Sequence, residues 1–401
     1  MPPNHSPGTR AAGEPSYRFG FVLTTCLGNG TTYENLRKYA ERDRTVACTW
    51  APIDYQPGAT RFEYWLKALP GSLYWRVLPL FQARKVLARV RAFDAILVHQ
   101  FETSILLTLR RAIFRTPLVV NNTDDTPLVN PNPDEHPMYP NELARTARRQ
   151  RWRLAMDLWR VRNADLSLLM SNWAADILVR QCGVPEQRVH PIPVGLDLEL
   201  WPRIPDKRHH PAEMVKVLFV GGDFERKGGH LLLDVHQRHF ANRCELHIVT
   251  RRAVSQTGLR NVVVYNDINP GDSLLRELNA AADIFVLPTT SDLTPWACLE
   301  AMASGCAVIS TRVGGIPELV RHEHNGFLID KGDAGALADA LDRLLSDPSL
   351  RCTMGARARD IVEREHSAEV NVGRILRVLK DSVDNRAASG PRRRAFPNLL
   401  I

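Results

Sequence analysis

Short apolar runs bounded by Gly, Pro, Asn and Asp alternate along the chain with longer stretches whose apolar positions recur every three or four residues. That alternation predicts βαβ units built around parallel sheets. A first series of strands is expected at 18–24, 95–99, 118–121, 166–170 and 189–193. A second is expected at 215–220, 245–250, 262–265, 284–287, 307–310 and 326–328. Between them, 201–212 holds three prolines and a basic, histidine-rich patch without hydrophobic periodicity, as an exposed linker does. The pattern therefore divides the chain into an N-terminal α/β domain over 17–200 and a C-terminal one over 213–367. A helix over 368–385 with Val370, Val372, Ile375, Leu376 and Leu379 at near-helical spacing is expected to pack back toward the first domain. The polar segment 1–16 and the arginine-rich tail 386–401 are expected to be disordered.

Composition narrows the class. At 401 residues with 44% hydrophobic and 24% charged side chains, the chain has ordinary globular material, which excludes collagen-like, coiled-coil and wholly disordered proteins. No stretch reaches the roughly 20 apolar residues that cross a bilayer. The start of the chain lacks the apolar segment of a secretory signal, and the seven cysteines are scattered without CxxC spacing, which predicts reduced thiols and a cytoplasmic location. A formal charge of +8 favours an acidic partner. Between Arg61 and Arg91 seven basic residues stand against Glu63 alone and interleave with Trp65, Trp75 and Phe81, a candidate peripheral contact with an anionic membrane. A second basic, aromatic stretch runs over 145–162 with Trp152 and Trp159. No RNA- or DNA-binding motif accompanies the charge, so nucleic acid is not an expected partner.

Two segments carry candidate chemistry. After the strand at 215–220 come Gly221 and Gly222, then Arg226, Lys227 and Gly228 before a helix near Leu231. Glycines let the backbone approach a ligand, and two cations beside a helix start can neutralise a diphosphate. It is not a Walker A loop, because the lysine precedes its glycine and no Ser or Thr follows. The strand at 284–287 then leads into Asp292 and a helix for which Thr294 is the expected N-cap, Pro295 the first residue and Gly305 the position past the end. The N–H groups at that start, those of Trp296 and Ala297 among them, suit an anion at the carboxyl edge of a parallel sheet. Asp292 and Glu300 lie eight positions apart and cannot share one proton, so they are expected to meet different parts of one extended ligand whose hydroxyls they bind. Gly28-Asn29-Gly30 lacks the third glycine of a dinucleotide fingerprint. Thr123-Asp124-Asp125 and Asp134-Glu135-His136 sit in Pro- and Asn-rich sequence without a further ligand cluster, so solvated loops are expected there and no metal.

Taken together, Gly221 to Gly228, Asp292 to Gly305, the loop Thr311-Arg312-Val313-Gly314-Gly315-Ile316-Pro317-Glu318 and Asn325-Gly326-Phe327-Leu328 resemble family 4 of the retaining nucleotide-sugar glycosyltransferases. The resemblance implies a GT-B fold, in which two Rossmann-like domains with parallel sheets face each other across a cleft. It implies transfer of a sugar from a nucleotide diphosphate sugar to a carbohydrate or glycolipid hydroxyl, as in the synthesis of cell-envelope polysaccharide, lipopolysaccharide or glycolipid. No metal or other cofactor is implied. The family's E-x7-E motif falls on Asp292 and Glu300, with Asp in place of the first Glu; the first contacts the transferred sugar and the second the ribose. Its diphosphate-binding Arg and Lys correspond to Gly222 and Lys227, so the arginine is missing and Arg226 is the expected substitute. The first-domain glycine loop falls on Gly28, Asn29 and Gly30, and the family's strand-end histidine on His99. A nucleotide-sugar epimerase of the same fold and a non-catalytic, membrane-associated homologue are the alternatives.

Overall fold

The computed structural model describes residues 15–25, 28–54, 71–99, 101–114, 117–122, 147–204 and 214–388. Two six-stranded sheets organise it. The first runs β2-β1-β3-β4-β5-β6, with β1 Tyr17–Thr24, β2 Val46–Ile53, β3 Ala95–Val98, β4 Leu118–Asn122, β5 Leu166–Leu169 and β6 Val189–Pro191. The second runs β12-β11-β10-β7-β8-β9, with β7 Val215–Val220, β8 Cys244–Val249, β9 Val262–Tyr265, β10 Ile284–Leu287, β11 Ala307–Thr311 and β12 Gly326–Ile329. All five pairings of the second sheet are parallel. Its central strand β10 is four apolar residues that are all buried, as both faces of a helix-covered parallel strand require.

β2 is absent from the expected series. It reads Val-Ala-Cys-Thr-Trp-Ala-Pro-Ile, contains the exposed Pro52 and is only half-buried over Ala47 to Trp50, because it is the edge of the sheet where a missing N–H is tolerated. Trp50 holds it in place by stacking on Phe21 of β1 at 4.2 Å between ring centres.

By internal contacts the chain forms two compact units, Met1–Asn122 with Trp159–Leu168 and Val372–Ile401, and Thr123–Leu158 with Leu169–Asn371. The division is therefore not a single cut at 201–212. Residues after β5 belong to the second unit for a visible reason: Glu318 accepts hydrogen bonds from the Asn172 and Trp173 N–H groups at 2.9 and 2.7 Å, and the Leu196 N–H donates to the His366 carbonyl at 2.7 Å. The last helix extends over Ala368–Ala388, so residues 386–388 are helical instead of belonging to a tail. Within the first unit its Lys380 pairs with Asp43 at 2.6 Å, and Tyr17 donates to Asp384 at 2.8 Å. The expectations for 1–14, for Arg61 to Lys67 with Trp65, for 123–125, 134–136 and 205–213, and for 389–401 lie outside the described residues. The described cysteines are free thiols, and no helix among the described residues is long and apolar enough to cross a membrane.

Candidate active site

In an open α/β sheet a ligand sits at the carboxyl ends of the strands where the strand order reverses. In the second sheet the chain moves from β7 outward through β8 and β9, then returns to β10 and moves outward the other way, so the reversal lies between β7 and β10. The two loops leaving these strands hold the residues singled out above.

The turn after β7 is built closely. A side chain at Gly221 would come within 2.9 Å of the Lys227 Cβ, and Phe224 turns inward, edge-on to Phe219 with ring centres 5.6 Å apart. Gly228 has φ +80°, and a Cβ there would lie 2.1 Å from the Pro288 carbonyl oxygen, so only glycine lets this turn touch the exit of β10. The contact is then riveted. The Arg226 carbonyl accepts from the Thr290 N–H at 2.9 Å and from its hydroxyl at 3.0 Å, while the Arg226 guanidinium donates to the Ser291 carbonyl at 2.7 Å and to Asp223 at 3.3 Å. Arg226 is thus engaged as a bracket between the two loops and is not a free substitute for the missing arginine.

Lys227 forms an ion pair with Asp292. The Asp292 backbone is backed by the Thr311 to Glu318 loop: Gly314 has φ +54°, and a Cβ there would lie 2.0 Å from the Asp292 carbonyl oxygen, while the Gly315 N–H donates to the Leu293 carbonyl at 2.8 Å. The helix begins one residue later than expected, at Trp296, with Pro295 in extended conformation as its N-cap. Thr294 makes no capping bond, and its hydroxyl is buried without a partner among the described residues. The Trp296 and Ala297 N–H groups stand in the first turn, where no earlier carbonyl can accept them. Gly305, at φ +75°, ends the helix as expected.

Glu300 lies on this helix and is 8% exposed. Its carboxyl makes no hydrogen bond to any described residue. Burial raises its pKa to about 8, opposed by Arg276, so the carboxyl favours its protonated form at neutral pH. A buried carboxyl kept without a partner is ready to take hydroxyl groups from a ligand.

Gly222 is open where Gly221 is closed. The nearest atoms to a Cβ there belong to Arg251, from its Cδ at 3.8 Å to its Nε at 4.0 Å. Arg251 follows β8 and was not among the expected site residues; the sequence signal was a pair of cations, Arg251-Arg252, directly after a strand next to the reversal point. A cavity of about 240 Å³ borders Thr294 and Gly315 on their Ser171 side, but its lining contains neither Lys227, Asp292 nor Glu300.

In the first unit the equivalent reversal lies between β1 and β3. There Thr24 Oγ1 and His99 Nδ1 are 2.7 Å apart. Burial, with Arg160 nearby, lowers the His99 pKa to about 4, so the ring is neutral at physiological pH. Gly28, Asn29 and Gly30 form the first turn of the helix Gly28–Ala40 instead of a loop, and Gly30 sits where a Cβ would be 2.9 Å from the Thr25 carbonyl oxygen. Sequence reading missed the buried polar group nearby, in which Ser104 and Arg160 donate to Asn121 at 2.5 and 3.3 Å.

Comparison with known proteins fits this geometry. The profile described as Glycosyltransferase Family 4 matches residues 31–200, and that described as Glycosyl transferases group 1 matches 215–347. N-acetyl-alpha-D-glucosaminyl L-malate synthase of Bacillus anthracis is 38% identical over 105 residues, 26% of this chain and 28% of that protein. The colanic acid biosynthesis glycosyltransferase candidate WcaL of Escherichia coli (strain K12) is 29% identical over 227 residues, 52% of this chain and 55% of that protein. The chain thus spans between about a quarter and a little over half the length of these curated relatives. Among solved structures, Anabaena HepE in complex with UDP-glucose superposes with a TM-score of 0.64 at 17% identity, covering 91% of this chain and all of that one. With one family profile over each sheet and the GT-B fold throughout, the chain belongs to the family 4 GT-B glycosyltransferases.

Proposed function

We propose that the protein is a retaining glycosyltransferase that moves a sugar from a nucleotide diphosphate sugar to a hydroxyl of a carbohydrate or glycolipid acceptor, in the synthesis of cell-envelope polysaccharide, lipopolysaccharide or glycolipid. The observation that carries this reading is the Lys227–Asp292 ion pair between the loops that leave β7 and β10, with Glu300 buried on the helix that follows. A UDP-glucose complex of a protein with this fold supports a donor of that class.

Glu300 takes the ribose hydroxyls, and the diphosphate lies over Gly221 and Gly222 toward the N–H groups of Trp296 and Ala297. Charge develops on the leaving diphosphate as the anomeric bond breaks, and fixed donors aimed at that charge lower the barrier without reorganising. Lys227 supplies the cation and is released from Asp292 as the phosphate takes it. Asp292, held by Gly314 and Gly315, is then oriented toward the sugar being transferred. The acceptor oxygen bonds to the anomeric carbon on the face the phosphate leaves, and the departing phosphate oxygen takes the acceptor proton. His99 of the first unit, neutral and hydrogen-bonded with Thr24, is suited to act as a hydrogen-bonding group and not as a cation. Exposed Arg84, Lys85, Arg89 and Arg91 support an acceptor presented at an anionic membrane surface.

Incubation with a panel of nucleotide diphosphate sugars, with and without envelope lipid or oligosaccharide, tests the reading by release of nucleoside diphosphate. Acceptor-dependent release supports transfer. Release of an altered free sugar without acceptor supports the epimerase alternative, and no release with any donor supports the non-catalytic one.

A further inference from the structure

The family arginine is missing at Gly222, and Arg226 is committed to Asp223 and to the Ser291 carbonyl. Lys227 is committed to Asp292. An anion arriving over Gly221 and Gly222 would have to separate one of these before either met it. Arg251 is different. Its aliphatic stem lies against the open side of Gly222, its side chain is exposed, and its guanidinium has no partner among the described residues.

The backbone that carries Arg251 is nonetheless fixed. The Thr250 N–H donates to the Tyr265 carbonyl at 3.0 Å, and the Arg252 N–H donates to the Thr250 hydroxyl at 3.3 Å. Asn266 spans the turn, its amide donating to the Thr250 carbonyl at 3.1 Å and to the Arg252 carbonyl at 2.6 Å. The Gly221 N–H donates to the Val249 carbonyl at 2.9 Å, which locks the start of this turn to the glycine turn. A free cation on a clamped backbone beside bare glycine is an arrangement that serves a ligand and does nothing visible for the fold.

Resting on the reading above, we propose that Arg251 is the arginine that binds the donor's diphosphate, reaching from the end of β8 the place that a side chain at 222 would occupy. Because no ion pair must open, Arg251 makes the first contact with the diphosphate, and Lys227 joins once Asp292 lets it go.

The test is binding of UDP and GDP, each beside its monophosphate, to wild type, Arg251→Ala and the double variant Gly222→Arg/Arg251→Ala. Ordinary van der Waals space at Gly222 accommodates the relocated arginine. A charge-assisted contact of this kind is worth about tenfold or more in affinity. Arg251→Ala is expected to lose about that much for the diphosphate and little for the monophosphate, and the double variant to recover most of the loss. Unchanged diphosphate affinity in Arg251→Ala, an equal loss for the monophosphate, or a double variant no tighter than the single one overturns the assignment. A wild type that binds none of UDP, GDP, ADP, CDP and dTDP overturns the proposed function together with it, which separates the two failures. The thermal midpoint of Arg251→Ala should match wild type, since the side chain makes no bond in the fold.

Discussion

Lys227 and Asp292 close on each other, one from the loop after β7 and one from the loop after β10, with their side chains only 17% and 14% exposed. Under the proposed function the diphosphate would claim Lys227 and the transferred sugar Asp292. The pair neutralises two charges that would otherwise sit poorly hydrated, and it makes donor binding an exchange of partners for Lys227. Removing Asp292 should therefore have opposite consequences for binding and for rate.

Lys227→Ala is expected to lower turnover by about two orders of magnitude, since it removes a fixed cation facing the developing charge. Asp292→Asn should also be slow, yet it frees Lys227 and should bind nucleoside diphosphate at least as tightly as wild type. Calorimetric titration beside steady-state rates checks both; weakened diphosphate binding in Asp292→Asn would contradict the exchange.

Glu300 couples the site to pH. Its folded pKa, raised to about 8 by burial, lies above the ordinary 4.5, so the folded state holds a proton that the unfolded state has lost. Stability should fall as pH rises between these values, and Glu300→Gln should flatten that slope. Ribose hydroxyls donate to the ionised form, so nucleotide binding should expel the proton and affinity should rise with pH over the same window, by less than tenfold per pH unit. Titration at pH 7 in buffers of different ionisation heat reads the proton directly, and Glu300→Gln should release none. A wild type that releases no proton on binding would contradict the ribose assignment.

Two neighbouring glycines should respond differently to the same change. Gly228→Ala forces a side chain into a left-handed backbone and onto the Pro288 carbonyl, which costs at least about 1–3 kcal/mol from the backbone conformation alone. Gly222→Ala meets only open contacts and should be close to neutral in urea unfolding. Equal stability of the two variants would mean the turn is not held against β10.

Arg84, Lys85, Arg89 and Arg91 are exposed around the short helices Arg84–Leu87 and Val90–Ala92. Replacing all four with Gln should reduce co-sedimentation with anionic vesicles, each charge contributing about 1 kcal/mol at most and fading beyond a Debye length of roughly 8 Å at physiological salt. Transfer to a soluble acceptor analogue should persist. No vesicle binding by wild type even at low salt would remove the membrane from the account.

Where hydrophobic pattern dictates structure, the sequence was readable: the buried run Ile284 to Leu287 and its partners announce a parallel sheet by composition alone. Val46–Ile53 did not, because an edge strand with Pro52 and a half-exposed surface has no such pattern and is fixed by Trp50 stacking on Phe21, a contact between distant positions. The same limit applied at the site. Lys227, Asp292 and Glu300 could be singled out from spacing beside glycine and helix signals. That Arg226 is tied to Ser291, that Thr294 caps nothing and that Arg251 lies over Gly222 depend on how three loops meet, which no local window contains.

The central claim, a nucleotide diphosphate sugar held at the β7/β10 reversal, is tested most directly by a crystal structure of the protein with UDP or GDP. The account predicts ribose hydroxyls within hydrogen-bond distance of Glu300, the diphosphate over Gly221 and Gly222, and Lys227 turned from Asp292 toward phosphate oxygen. A nucleotide bound away from Glu300, with the Lys227–Asp292 pair intact, would contradict it.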